Sequence, residues 1–135
     1  MSEDIEGLNR LMARFARWPA SARKVAGQEA FLGAEEMVAT MKAIAPRDDG
    51  ADDDQKLVDH IYHEEGRLGD VSYVVISDAR DSKGRPKAPR VELGHMAEDG
   101  TQVPAQPHFY PVVRTVGPKV RRRIASAVTR ELRRK

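Results

Sequence analysis

The sequence predicts an α+β fold: a small, mainly antiparallel sheet of three to four strands, packed by a long central helix and a C-terminal helix, with a further helix at the N-terminus. Three observations predict it. Apolar residues recur at helical spacing from about Ser21 to Ala45, and again from about Pro111 to residue 134. Between these stretches Tyr73, Val74, Val75 and Ile76 give the strongest β signal in the chain. Pro and Gly mark the joints between them. At 135 residues the chain reads as one domain over residues 1–135, long enough to bury roughly two-thirds of its unfolded surface.

In chain order, Ser2 is placed to cap a first helix, with Glu3 and Asp4 in its first turn. Ile5, Leu8, Met12 and Phe15 form its apolar stripe, widened by Leu11 and Trp18, and Pro19 ends it. The stripe is expected to face the core. The central helix carries Val25, Ala30, Ala34, Met37, Val38, Met41 and Ile44 on one side. Its small residues Ala26, Gly27, Gly33 and Ala34 permit close approach of another element. Pro46 ends it and opens an acidic loop with Asp48, Asp49, Asp52, Asp53 and Asp54. Asp48, Gly50 and Asp52 do not place the ligands of an EF-hand, which needs a Gly at its sixth position and a Glu at its twelfth. A solvated loop is expected.

Leu57 to Glu64, Val71 to Ala79 and Arg90 to Met96 read as three strands. The last two flank a polar, Pro-containing segment at about 78–89, expected to project as a surface arm. The final helix starts near Pro111, which suits a first helical turn because its missing amide has no partner there. Val113, Val116, Val120, Ile124, Val128 and Leu132 make its apolar ridge, and Gly117-Pro118 is expected to kink or restart it early. From Arg114 onward there are nine Lys and Arg against one acid, Glu131.

Composition and motifs argue against an enzyme. No Cys is present, so thiol chemistry and thiolate metal sites are excluded. His60 and His63, beside Glu64 and Glu65, lack the His-Glu-x-x-His spacing of a helical zinc site. Three apart in a strand, they would point to opposite faces. No phosphate-cradling Gly loop or nucleophile elbow occurs, so no catalytic residue, metal, cofactor or small-molecule substrate is expected. The N-terminus is acidic and amphipathic, unlike a secretory signal, and no apolar run reaches membrane-spanning length.

Glu92-Leu93-Gly94, the loop after it, and Pro107-His108-Phe109-Tyr110-Pro111 follow one another before the last helix. Together with Ala45-Pro46-Arg47-Asp48-Asp49-Gly50 upstream, this order resembles the tail-completion, or neck, family of long-tailed bacteriophages, minor tail proteins that help join head and tail. In that pattern a triplet of an acidic residue, an aromatic or aliphatic residue and Gly ends a strand, and after a variable loop Pro-Phe-aliphatic-x-Pro opens the C-terminal helix. Here His108 stands where Phe is usual, Asp49 where Thr is usual, and an Asp-rich insertion follows Gly50. The resemblance implies a virion component at the head–tail junction, made in the host cytoplasm. It would form a homo-oligomeric ring, expected to have six subunits, and contact head-connector, tail-terminator or tail-tube proteins. The contact residues expected are Asp48 and Asp49 on the acidic loop; Lys83, Arg85 and Lys87 on the arm; Glu92, Gly94 and Phe109 in the motifs; and Arg121 and Arg122 on the basic helix. Those last cations would face acidic neighbouring subunits or DNA passing through a channel. A basic nucleic-acid-binding module is the other function class consistent with them.

Overall fold

The structure, a computed structural model, describes residues 7, 9–11, 13, 14, 16–47 and 55–134. The acidic loop with Asp48 and Asp49, and Ile5, Leu8, Met12 and Phe15 of the N-terminal stripe, lie outside them. Residues 7, 9–11, 13, 14 and 16 are helical, and Leu11 is 43% exposed.

Helix α1 (Ala20–Ile44) starts behind Pro19, whose carbonyl accepts from the amides of Ala22 and Arg23. It ends where Ala45, forced extended by Pro46, leaves the helix at φ −62°, ψ 137°. Chain follows through a single 3₁₀ turn (Leu57–His60) into an antiparallel hairpin, β1 (Ile61–Gly66) and β2 (Gly69–Ser77). Arg67 and Leu68 make the turn, and Gly69 takes φ 69° beyond it. Then come a short helix α2 (Ala88–Leu93), a small hairpin of β3 (His95–Met96) with β4 (Gln102–Val103), and helix α3 (Tyr110–Arg133).

The architecture is α+β, with two antiparallel sheets of two strands each in place of the expected three- to four-stranded sheet. The third expected strand is the reason. Arg90 to Leu93 is helical, started by Pro89 in the first turn and ended by Gly94 at φ 78°. Only His95 and Met96 remain extended, and they pair locally with Gln102 and Val103. Leu57 to His60, read as strand, is the 3₁₀ turn.

The core lies where α1 and α3 meet each other and the first hairpin. Met41, Ala45, Leu57, Ile61, Ala79 and Val112 are buried there, with Met37, Val38, Val75, Phe109 and Val116 packed around them. Gly33 faces Val120, while Met41 and Val112 share the core, so α1 and α3 run antiparallel. On α3 the deepest positions are Val112, Val120 and Val128, spaced by eight residues. Ile124 is half-buried and Leu132 is 48% exposed, so the expected ridge is rotated toward Val112. α3 runs as one helix through Gly117 and Pro118, so it does not restart there.

The small residues of α1 act as expected. A Cβ on Gly27 would stand 2.4 Å from the Asp70 carbonyl oxygen, and one on Gly33 would stand 2.3 Å from Val120 Cγ1. Helix and hairpin therefore touch backbone to backbone at one point, and helix and helix touch at the other.

Gly27→Ala gains up to about 1 kcal/mol of helix propensity but must displace a backbone carbonyl, an overpacking cost of about 1–3 kcal/mol. A net loss of roughly 1–2 kcal/mol in chemical denaturation is expected. Gly33→Ala meets only a side chain, so combining it with Val120→Ala should cost less than the sum of the two single changes.

Candidate interaction surface around the Glu92 cap

The Glu92 carboxylate organises the region that the sequence singles out. Glu92 is buried, 7% exposed, near the end of α2. Its Oε2 accepts from the backbone amides of His108 at 2.9 Å and Phe109 at 3.0 Å, and its Oε1 from Tyr110 at 3.0 Å. These amides lie at the start of α3, where no side chain from the adjacent sequence caps the helix. A negative charge at a helix N-terminus also meets the positive end of the helix dipole. Burial pushes the Glu92 carboxyl up; the three amide bonds and the nearby His108 outweigh it, and the net shift is downward.

Two neighbours hold this cap in place. Gly94 turns the chain at φ 78°, and a Cβ there would stand 2.9 Å from both the Val103 carbonyl oxygen and the Ala105 nitrogen. The Gln106 amide donates to the Val91 carbonyl at 2.8 Å. His108 is fully buried, with Nδ1 3.2 Å from Glu92 Oε2, within ion-pair reach but not aligned as a hydrogen bond. Burial depresses the His108 pKa, and the pull of Glu92 and of the Gln106 carbonyl only partly offsets it.

Beside the cap the surface is apolar. Leu93 is 76% exposed, Met96 66% and Tyr110 56%. Leu93 and Tyr110 join Ala88, Pro89 and Phe109 around a cleft of about 230 Å³. Phe109 itself is half-buried and packs on the core.

The segment at 78–89 is more tightly held than an outward-reaching arm. Ala79 and Lys87 are buried, the Lys87 amide donates to the Ala79 carbonyl, and Lys87 Nζ donates to the Gln55 carbonyl at 3.0 Å. Arg80 bridges Pro86, and Asp81 gathers the amides of Lys83 and Arg85 and the side chains of Arg85 and Arg90. The Arg85 amide first, then the Arg85 side chain and the Lys83 amide, hold Asp81 down at about 2 against the opposing effect of burial. Residues 82–86 at the tip are exposed, as are Asp78, Arg80 and Pro89; at the tip Lys83 pairs with Glu98, and Arg85 with Asp81. Lys87 and Glu92, expected as partner contacts, are thus committed within the chain. Lys83, Arg85, Arg121 and Arg122 are exposed.

His60 and His63 do not converge. His60 lies 3.6 Å from Asp78, whereas His63 pairs with Glu35 of α1 and stacks edge-on with Phe31 and Tyr73. Among the described residues no group of three or more His, Asp or Glu is placed to hold a metal ion, and no helix is long and apolar enough to cross a membrane.

Glu92→Gln removes the charge and aims an amide donor at one of three donors, so a loss of about 1–3 kcal/mol is expected. The acid limb carries a sharper signature. Both groups have lowered pKa values in the folded state, so the unfolded chain binds more protons and stability rises with pH. His108 should cost stability as pH falls below its ordinary 6.5, and Glu92 as pH falls from 4.5 through its lower folded value. Denaturation midpoints against pH should lose the second component in Glu92→Gln and the first in His108→Phe.

Searches of protein-family models, of curated proteins and of solved structures give no significant match to this chain.

Proposed function

We propose that this chain is a non-enzymatic structural component of a phage head–tail junction, joining tail to head as part of a ring. One observation carries the reading. The two motifs on which the resemblance rests, Glu92-Leu93-Gly94 and Pro107-His108-Phe109-Tyr110-Pro111, form one physical unit, because the carboxylate of the first caps the helix opened by the second. The spacing between them is a structural requirement here, which favours a shared fold over coincidence of short motifs.

The same unit supplies a surface suited to assembly. The cap holds the start of α3 against the end of α2, and the exposed Leu93 and Tyr110 line one cleft there, an apolar rim of the kind interfaces cover. A ring of identical subunits needs a heterologous contact, in which this rim meets a different surface on the next copy. Six subunits, with tail-tube, tail-terminator or head-connector proteins above and below, is the arrangement the resemblance favours. Its place would be the virion.

Leu93→Arg should leave thermal melting nearly unchanged, since an exposed substitution is typically worth within about 0.5 kcal/mol. Particles assembled with it should lack the protein at the junction. Image reconstruction of wild-type particles should show six copies in a ring there. One or two copies, or full incorporation of Leu93→Arg, would sink the reading.

A further inference from the structure

We infer that the solvent face of α3 is a sequence-independent binding surface for the phosphodiester backbone of double-stranded nucleic acid. The face is built from Lys119, Arg122, Ser126, Thr129, Arg130 and Arg133, all exposed. Steps of three and four residues place them along one side of the helix. From Lys119 to Arg133 the row covers about 21 Å at 1.5 Å per residue. A duplex presents a negative charge about every 1.7 Å of its axis, so such a row meets several phosphates. Lys119, Arg122 and Arg130 line an open groove of about 400 Å³, with Glu29 of α1 on its rim.

Two details favour a phosphate backbone over an acidic protein surface. The first is the state of the donors. Arg123 is tied to Glu36, and Arg134 to Glu131. Lys119, Arg122, Arg130 and Arg133 form no ion pair among the described residues, and Glu29 is the one acid on the groove that the first three line. Thr40 and Thr115 turn their hydroxyls back onto the carbonyls of Glu36 and Pro111, both at 2.8 Å. Ser126 and Thr129 make no such bond, which leaves two hydroxyl donors interleaved with the cations. Arg, Lys, Ser and Thr are the side chains that position a duplex through its phosphates.

The second detail is what the groove lacks. Protein interfaces concentrate their energy in buried aromatic and large apolar anchors. Among the described residues, Ala125 and Ala127 are the only apolar side chains lining the groove and its continuation toward Arg133. The exposed Leu93 and Tyr110 belong to the cleft at the opposite end of α3. The chain therefore separates an anchoring surface from a purely ionic one. Cations and hydroxyls spread along one exposed helix face are groups that contact phosphates irrespective of base sequence, so the contact carries charge and no base preference.

The inference stands apart from the junction reading, because it is measured on the free protein. Fluorescence anisotropy with two short DNA duplexes of unrelated sequence should give equal affinities that fall steeply between about 50 and 200 mM salt. Arg122→Glu with Arg130→Glu should weaken binding at least tenfold at the low-salt end and make the log–log salt slope shallower by about 2. Arg122→Lys with Arg130→Lys should keep the wild-type slope, which separates charge from any change in fold; circular dichroism melts of both variants should match wild type. Absence of binding at low salt, an unchanged slope on charge reversal, or clear preference for one duplex sequence would overturn the inference. So would polyglutamate competing as well as DNA at equal charge, an outcome that would assign the face to an acidic protein.

Discussion

Three backbone amides at the start of α3 point at one carboxylate, and much of the chain is arranged to bring that carboxylate there. α3 supplies Val112, Val120 and Val128 to the core, so its position decides whether the face of α1 around Gly33 and Met41 is covered. A helix start buried without partners would leave amides unsatisfied at about 1–3 kcal/mol each. Glu92 satisfies three at once and adds charge to the positive end of the helix. The cap comes from sixteen to eighteen residues upstream, so it works only if the intervening chain returns accurately.

That requirement explains the small structures between Ala79 and Pro107, which contribute little core of their own. Lys87 anchors the base of the segment on the Gln55 carbonyl and sets where α2 begins. α2 makes less than two turns, enough to rotate Glu92 inward while leaving Leu93 outside. Gly94 then passes so close to Val103 and Ala105 that no side chain fits, and the β3–β4 hairpin folds the loop back toward α3. Each step is a local backbone device, and together they deliver one side chain.

The same geometry divides the surface. Where the cap holds the chain rigid, large apolar side chains stand exposed. Beyond it, along α3, the surface turns polar and then cationic, with the ion pair of Arg123 and Glu36 tying α3 to α1 midway. Apolar side chains and solvated cations disfavour each other's environment, so the two surfaces lie apart on the fold.

The long helices were legible in the sequence, because Pro19, Pro46 and Pro111 punctuate them and their apolar periodicity runs for many turns. So were the β character of Tyr73 to Ile76 and the close contacts at Gly27 and Gly33. Arg90 to Met96 was not: over so few residues, Val91, Leu93 and His95 fit a strand as well as a helix. Pro89 before and Gly94 after were the signals for a short helix, and the alternation hid them. The burial of Lys87, the rotation of the α3 ridge toward Val112 and the capping role of Glu92 depend on partners far away in the chain. A carboxylate reads as solvated until the fold places three amides in front of it. Sequence alone determined where the long elements begin and end and how charge is spread along them. Only the tertiary structure decided which charges are spent inside the fold and which remain for a partner, because desolvation and hydrogen bonding are set by what surrounds a group once the chain has closed.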